Sequence, residues 1–156
     1  MLKYTVCHIR RGNELLLLNR NKHPNKGMWN AVGGKIERGE TPLDGVLREA
    51  FEETGIKLDH VLEAGTVLWD SERETSGMSV FIAELPADFN FKTPVNTEEG
   101  ILDWKKIDWV LDPDNIGIVD NIKVYLPFVL DGEYDFEYRF KYKNGEMLDY
   151  VVSQYN

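Results

Sequence analysis

Between Thr41 and Gly55 the chain carries both ends of a helix and a face for that helix to bury. Thr41 can cap the first turn, Pro42 brings a backbone angle that suits the first helical position, and Asp44 can close a capping box. Gly55 is the residue type that ends helices. Leu43, Val46, Leu47, Ala50 and Thr54 recur at helical spacing and mark the side to be covered. The charges then raise a problem. Glu49, Glu52 and Glu53 crowd the last two turns, where the helix dipole is negative, and Glu49 faces Glu53 as a like charge four residues away. Each effect costs only about 0.3–1 kcal/mol, but something should compensate.

The surroundings of this helix read as strands. "LKYTVCHI" and "ELLLLNR" are β-type runs joined by the turn "RRGN". "NKHPNKG" is a polar loop, and "MWNAVGG" is expected to form a short strand ending at its glycine pair. "VLEAGTVLW" and "GMSVFIAEL" are strand-like around the charged loop "DSERETS". "ILDWKKI" is expected to be a strand leading into a turn, and "VDNIKVYLPFVL" a second helix. The tail alternates apolar and polar residues around Asn144-Gly145, a strong two-residue hairpin signal. No repeat or linker interrupts residues 1–156, so one α+β domain with strands dominating is expected.

A chain of 156 residues can bury a proper core. Its net charge of −9 argues against broad nucleic-acid or anionic-membrane binding. A small phosphorylated substrate stays compatible if a metal carries the positive charge. The single Cys7 lies in an apolar run and reads as a buried strand thiol. No run reaches membrane-spanning length and no signal-peptide pattern opens the chain, so a cytoplasmic protein is the default expectation. His8, His23 and His60 have no partner spacing, and no GxSxG, CxxC or P-loop occurs.

On a helical wheel Glu49, Glu52 and Glu53 share a face separate from the apolar stripe, and Arg48 is placed to pair with Glu52. Such a carboxylate group suits a hard divalent cation, which would also remove the repulsion. A triplet of this kind alone more often marks a solvated surface. Upstream, "GGKIERGE" offers glycine backbone for close approach and Lys35 as a phosphate partner.

The triplet has company. Gly34, Glu40, Arg48, Glu49, Ala50, Glu52, Glu53, Gly55 and Ile56 stand at the positions of the Nudix box, and the chain resembles the Nudix hydrolases through it. The resemblance implies a loop–helix–loop catalytic unit in an α/β/α sandwich with a mixed sheet. It also implies Mg²⁺- or Mn²⁺-dependent cleavage of a nucleoside diphosphate linked to another group. On that pattern Glu49, Glu52 and Glu53, with Gly34, hold the metal and Arg48 orients them. The general base is Glu53 or Glu99, and Lys35 and Arg20, with Lys22 nearby, are candidate phosphate partners. "GMWNAVGGK", "WKKIDWV" and "DYVV" resemble the 8-oxo-dGTP diphosphatase, MutT-like subgroup. This implies base reading by Asn30, helped by Asp120 or Asn121 unless these simply cap the second helix. Tyr4, Thr5, Phe81 and Trp104 either line that pocket or fill the core. The expected partner is a small nucleotide, with the protein a monomer or homodimer. Alternative readings are a Nudix hydrolase of a dinucleoside polyphosphate, nucleotide sugar or RNA 5′ end, or a non-catalytic nucleotide-binding module.

Overall fold

The computed structural model describes residues 2–155. Its strands are β1 (Tyr4–Arg11), β2 (Glu14–Arg20), β3 (Trp29–Asn30), β4 (Val32–Lys35), β5 (Val61–Asp70), β6 (Thr75–Leu85), β7 (Val95–Asn96), β8 (Gly100–Lys106), β9 (Phe136–Lys143) and β10 (Glu146–Gln154). Its helices are α1 (Pro42–Thr54), α2 (Ile107–Leu111) and α3 (Ile122–Leu130). The main path of the sheet runs β10-β9-β5-β6-β1-β2-β8-β7, with β3 paired to β2 and β4 to β1. The pairing is mixed: β1 lies parallel to β6 and β5 parallel to β9, while the hairpins are antiparallel.

The sheet forks at β1. Residues Ile9–Arg11 pair with β2, whereas Tyr4–Cys7 pair with β4. "MWNAVGG" therefore forms two short strands, contrary to the single one expected, because the chain changes partner at Ala31. The second strand also runs through the glycines to Lys35. The turn expected after "ILDWKKI" is the five-residue helix α2, whose Val110 is buried.

Both faces of the sheet are covered. On one, Val46 and Ala50 of α1 meet Cys7, Ile9, Leu16, Leu18, Val32 and Phe81. On the other, Ile122, Tyr125, Leu126 and Val129 of α3 meet Val6, Leu15, Leu17, Val80 and Phe140. Leu15 to Leu18 are thus all buried, which is why β2 reads as a continuous apolar run rather than an alternating one. This is the α/β/α sandwich. No helix among the described residues is long and apolar enough to cross a membrane.

The α1 caps form as expected: Thr41 accepts from the Asp44 N–H, Asp44 accepts from the Thr41 N–H, and Gly55 closes the helix at φ 76°. Leu43 departs from the expected buried stripe and is 44% exposed. The first turn packs through Gly45 against Ile36 and Glu40, which turns Leu43 outward.

His8 is fully buried on β1, its Nε2 2.7 Å from the Tyr125 hydroxyl and its Nδ1 without a partner. Burial pushes its pKa down to about 4 from the ordinary 6.5. Between those values the unfolded chain binds a proton that the folded one refuses, so stability falls as pH drops through that window. The urea midpoint of the wild type, measured against that of His8→Gln, should therefore fall from pH 7 to pH 5.

Candidate active site

The two glycines at the end of β4 bring backbone against carboxylate. A Cβ on Gly34 would lie 2.6 Å from the Glu49 carboxyl carbon, and one on Gly33 would lie 2.0 Å from the Thr5 carbonyl oxygen. Only glycine allows β4 to approach β1 and α1 together.

Arg48 resolves the charge problem posed by the sequence. Its Nε and Nη2 donate to the two oxygens of Glu40 at 2.7 and 2.9 Å, a bidentate pair. Its Nη1 donates to Glu49 at 2.9 Å and reaches Glu52 at 3.4 Å, and Nη2 also donates to the Lys35 carbonyl at 3.1 Å. The expected Arg48–Glu52 pair exists, but it is the longest of these contacts. Glu40 is the partner that sequence reasoning left without a role. The Arg48 guanidinium, helped by the Glu37 N–H, pulls its carboxyl down to about 2.

The three helix glutamates part company in space. Glu49 is 18% exposed in its side chain and sits against Gly34, while Glu52 is 58% exposed and leans out toward Arg48. Glu53 is half-buried, its Oε2 enclosed without a partner. Burial first, and then the charge of Glu49, push Glu53 up to about 8, against a hydrogen bond from the Gly33 N–H. The charge of Glu99 acts in the same direction, which puts the 97–100 loop within electrostatic reach. Glu99 also pairs with Lys22 at 3.4 Å.

Among the described residues no three carboxylate, histidine or cysteine side chains converge on one point. The expected triad is in this geometry a close pair, Glu49 and Glu53, with Glu52 outlying. The pair still fits a hard cation, since an enclosed and unpartnered carboxylate oxygen beside a like charge is what such an ion would satisfy.

The phosphate candidates differ in freedom. Lys35 is exposed at the end of β4. Arg20 donates to the Lys22 and His23 carbonyls at 3.3 Å each, so its guanidinium braces its own loop. It lines an open cleft of about 410 Å³ with Lys26, Asn19, Asn21 and Asn96.

The base-reading candidates are drawn together by backbone. The Trp29 N–H donates to the Gly117 carbonyl at 2.8 Å, and the Val119 N–H donates to the Trp29 carbonyl at 3.1 Å. Asn30 and Asp120 each follow directly on one end of that ladder. The Asn30 Oδ1 accepts from the Ala31 N–H at 2.8 Å, which leaves its NH₂ free to donate. Asn121 occupies the N-cap position of α3 without making a side-chain cap bond, and it is buried. Phe81 and Trp104 belong to the core on the α1 side, while Tyr4 packs at the opposite face against Trp69. Thr5 is fully buried and its hydroxyl lacks a partner.

Residues 1–117 match the family model of the NUDIX domain. The chain is similar to the mouse (Mus musculus) oxidized purine nucleoside triphosphate hydrolase, 31% identical over 107 residues that cover 69% of this chain and 67% of that protein. It is also similar to the NAD-capped RNA hydrolase NudC of Haemophilus influenzae, 43% identical over 66 residues. That match covers 41% of this chain and only 25% of that relative. Among solved structures it resembles a mutator MutT protein from Bacillus halodurans, with a TM-score of 0.77, 29% identity and 97% of each chain covered.

Proposed function

The chain belongs to the NUDIX domain family and is a hydrolase of phosphoric anhydrides in nucleotide substrates, and we propose that it converts a nucleoside triphosphate, with an oxidised purine preferred, to monophosphate and pyrophosphate. The observation that carries the chemistry is the Glu49–Glu53 pair held against Gly33–Gly34 by Arg48. Glu49 and Glu53, with Glu52 swinging in, would hold Mg²⁺ (or Mn²⁺). When bound, that ion supplies charge neutralisation for the phosphates and a water acidified toward neutral pH.

The rest falls to the chain's own residues. Arg48 keeps Glu49 in place through a bond that Glu40 anchors from the other side. Glu53 is assigned the water proton, because its enclosed Oε2 has no other partner and lies beside Glu49, where the ion and its water would sit. Glu99 has its charge engaged by Lys22 and is the alternative base. Lys35, with Arg20, is assigned to the phosphate chain, where positioning and charge matter more than covalent chemistry.

Support for the purine comes from the mouse relative's activity on oxidised purine nucleoside triphosphates and from the backbone ladder that sets Asn30 beside Asp120 and Asn121. A pocket that hydrogen-bonds a base edge discriminates strongly, since a wrong base leaves polar groups unpaired at about 1–3 kcal/mol each. Asn30→Ala should lower kcat/KM for 8-oxo-dGTP by about tenfold or more while changing that for dCTP little. A wild type that does not prefer 8-oxo-dGTP to dGTP sinks the substrate reading and leaves the chemistry standing. Running the same panel with NAD-capped RNA and nucleotide sugars tests the rival diphosphate substrates.

A further inference from the structure

We propose that Tyr142, near the turn of the C-terminal hairpin, is a positioning residue that sets which hydrogen-bonding group Asp120 offers a bound base; this rests on the reading of Asp120 as a base-recognition group. The Tyr142 hydroxyl donates to the Asp120 Oδ1 at 2.8 Å. One atom from β9 thus holds Asp120, just ahead of α3.

The contact has a chemical consequence. A carboxylate only accepts hydrogen bonds, and with Oδ1 engaged the plane of Asp120 is fixed and Oδ2 is left over. Asp120 then offers an acceptor. Asn30, whose Oδ1 is taken by the Ala31 N–H, offers donors. A base meeting this pattern needs N–H groups on one part of its edge and a carbonyl on another. A 6-oxo-2-aminopurine has both, through N1–H with the 2-amino group and through O6. Adenine has an amino group beside a bare N1, so it sets at most one donor against a carboxylate where a 6-oxo-2-aminopurine sets two.

The phenol is held in its donating form. Burial, and then the bond to Asp120, raise its pKa above the ordinary value of 10. Its place is fixed by distant pairings: β9 lies parallel to β5 from Glu137 to Lys141, and the Asn144 N–H donates to Glu72 at 3.1 Å. Phenylalanine would keep the ring and its packing near Phe140 and remove only the hydroxyl.

Tyr142→Phe separates this role from a structural one. In steady-state assays with 8-oxo-dGTP, dGTP, dATP and dCTP, the variant should lose about fivefold to tenfold in kcat/KM for the two guanine-type substrates. That loss should sit in KM, with kcat within about twofold, while dATP and dCTP change little and the guanine-to-adenine ratio narrows. Asp120→Ala should narrow the ratio as well, and the double variant should be no worse than Asp120→Ala alone. If Asp120→Ala collapses the ratio and Tyr142→Phe leaves it intact, or lowers all four substrates alike, the role assigned to Tyr142 is wrong. If Asp120→Ala leaves the ratio intact, the base-reading assignment itself fails, and this one with it.

Discussion

Glu53→Gln is expected to lower kcat by about 10²–10⁴-fold with the fold retained, the range that loss of a positioned proton acceptor produces. The substitution keeps the side chain's shape and removes its charge. In the metal-free protein that charge is unwelcome, since the carboxyl is enclosed beside Glu49 and is pushed up to about 8. The apo variant should therefore melt at or above the wild-type temperature. Mg²⁺ should raise the melting temperature of the wild type by several degrees and that of the variant by much less, because binding to the folded state alone is what stabilises it. Pyrophosphate release and thermal melts with and without Mg²⁺ read both effects. Near wild-type turnover by the variant would falsify the catalytic assignment, and an equal Mg²⁺ effect on both proteins would remove Glu53 from the metal site.

Gly34→Ala should cost about 10–100-fold in activity while lowering the melting temperature by only a few degrees. Its new Cβ would meet the Glu49 carboxyl group, 2.6 Å from the carbon and 2.7 and 2.8 Å from its oxygens. That is the end of a flexible side chain, so the fold survives by moving it. The carboxylate then leaves its place and loses the 2.9 Å bond to Arg48. A displacement of about 1 Å at a reacting centre can cost 10²-fold. Gly33→Ala is the contrast. Its Cβ would lie 2.0 Å from the backbone oxygen of Thr5, which no side-chain rotation relieves. That variant should unfold at markedly lower temperature. If Gly34→Ala kept full activity, the position of Glu49 would not matter to the reaction.

What the sequence determined by itself are the features whose causes lie within a turn or two of chain. The capping box at Thr41–Asp44 and the left-handed end at Gly55 form as read, because each depends on groups three or four residues apart. The hairpin at Asn144-Gly145 forms because both residues tolerate positive φ, here 52° and 80°. The residues from Gly34 to Ile56 carried the resemblance to the Nudix box, and within it helical periodicity brings Arg48, Glu49, Glu52 and Glu53 to one region.

Tertiary structure decided how alike residues differ. Glu49, Glu52 and Glu53 are interchangeable on a helical wheel, yet Glu52 stands in solvent and Glu53 is enclosed, because β4 passes over one side of α1 and leaves the other open. Leu43 fits the apolar stripe and is exposed, since the first turn packs through Gly45 against Ile36 and Glu40 instead. Glu99 acts on Glu53, and Tyr142 reaches Asp120, across separations that no local pattern encodes. Those distances are set by the fork at β1 and by the parallel pairings of β1 with β6 and β5 with β9. Pairings between segments far apart in the chain follow from which faces must be buried together, and that is settled only when the whole sheet is assembled.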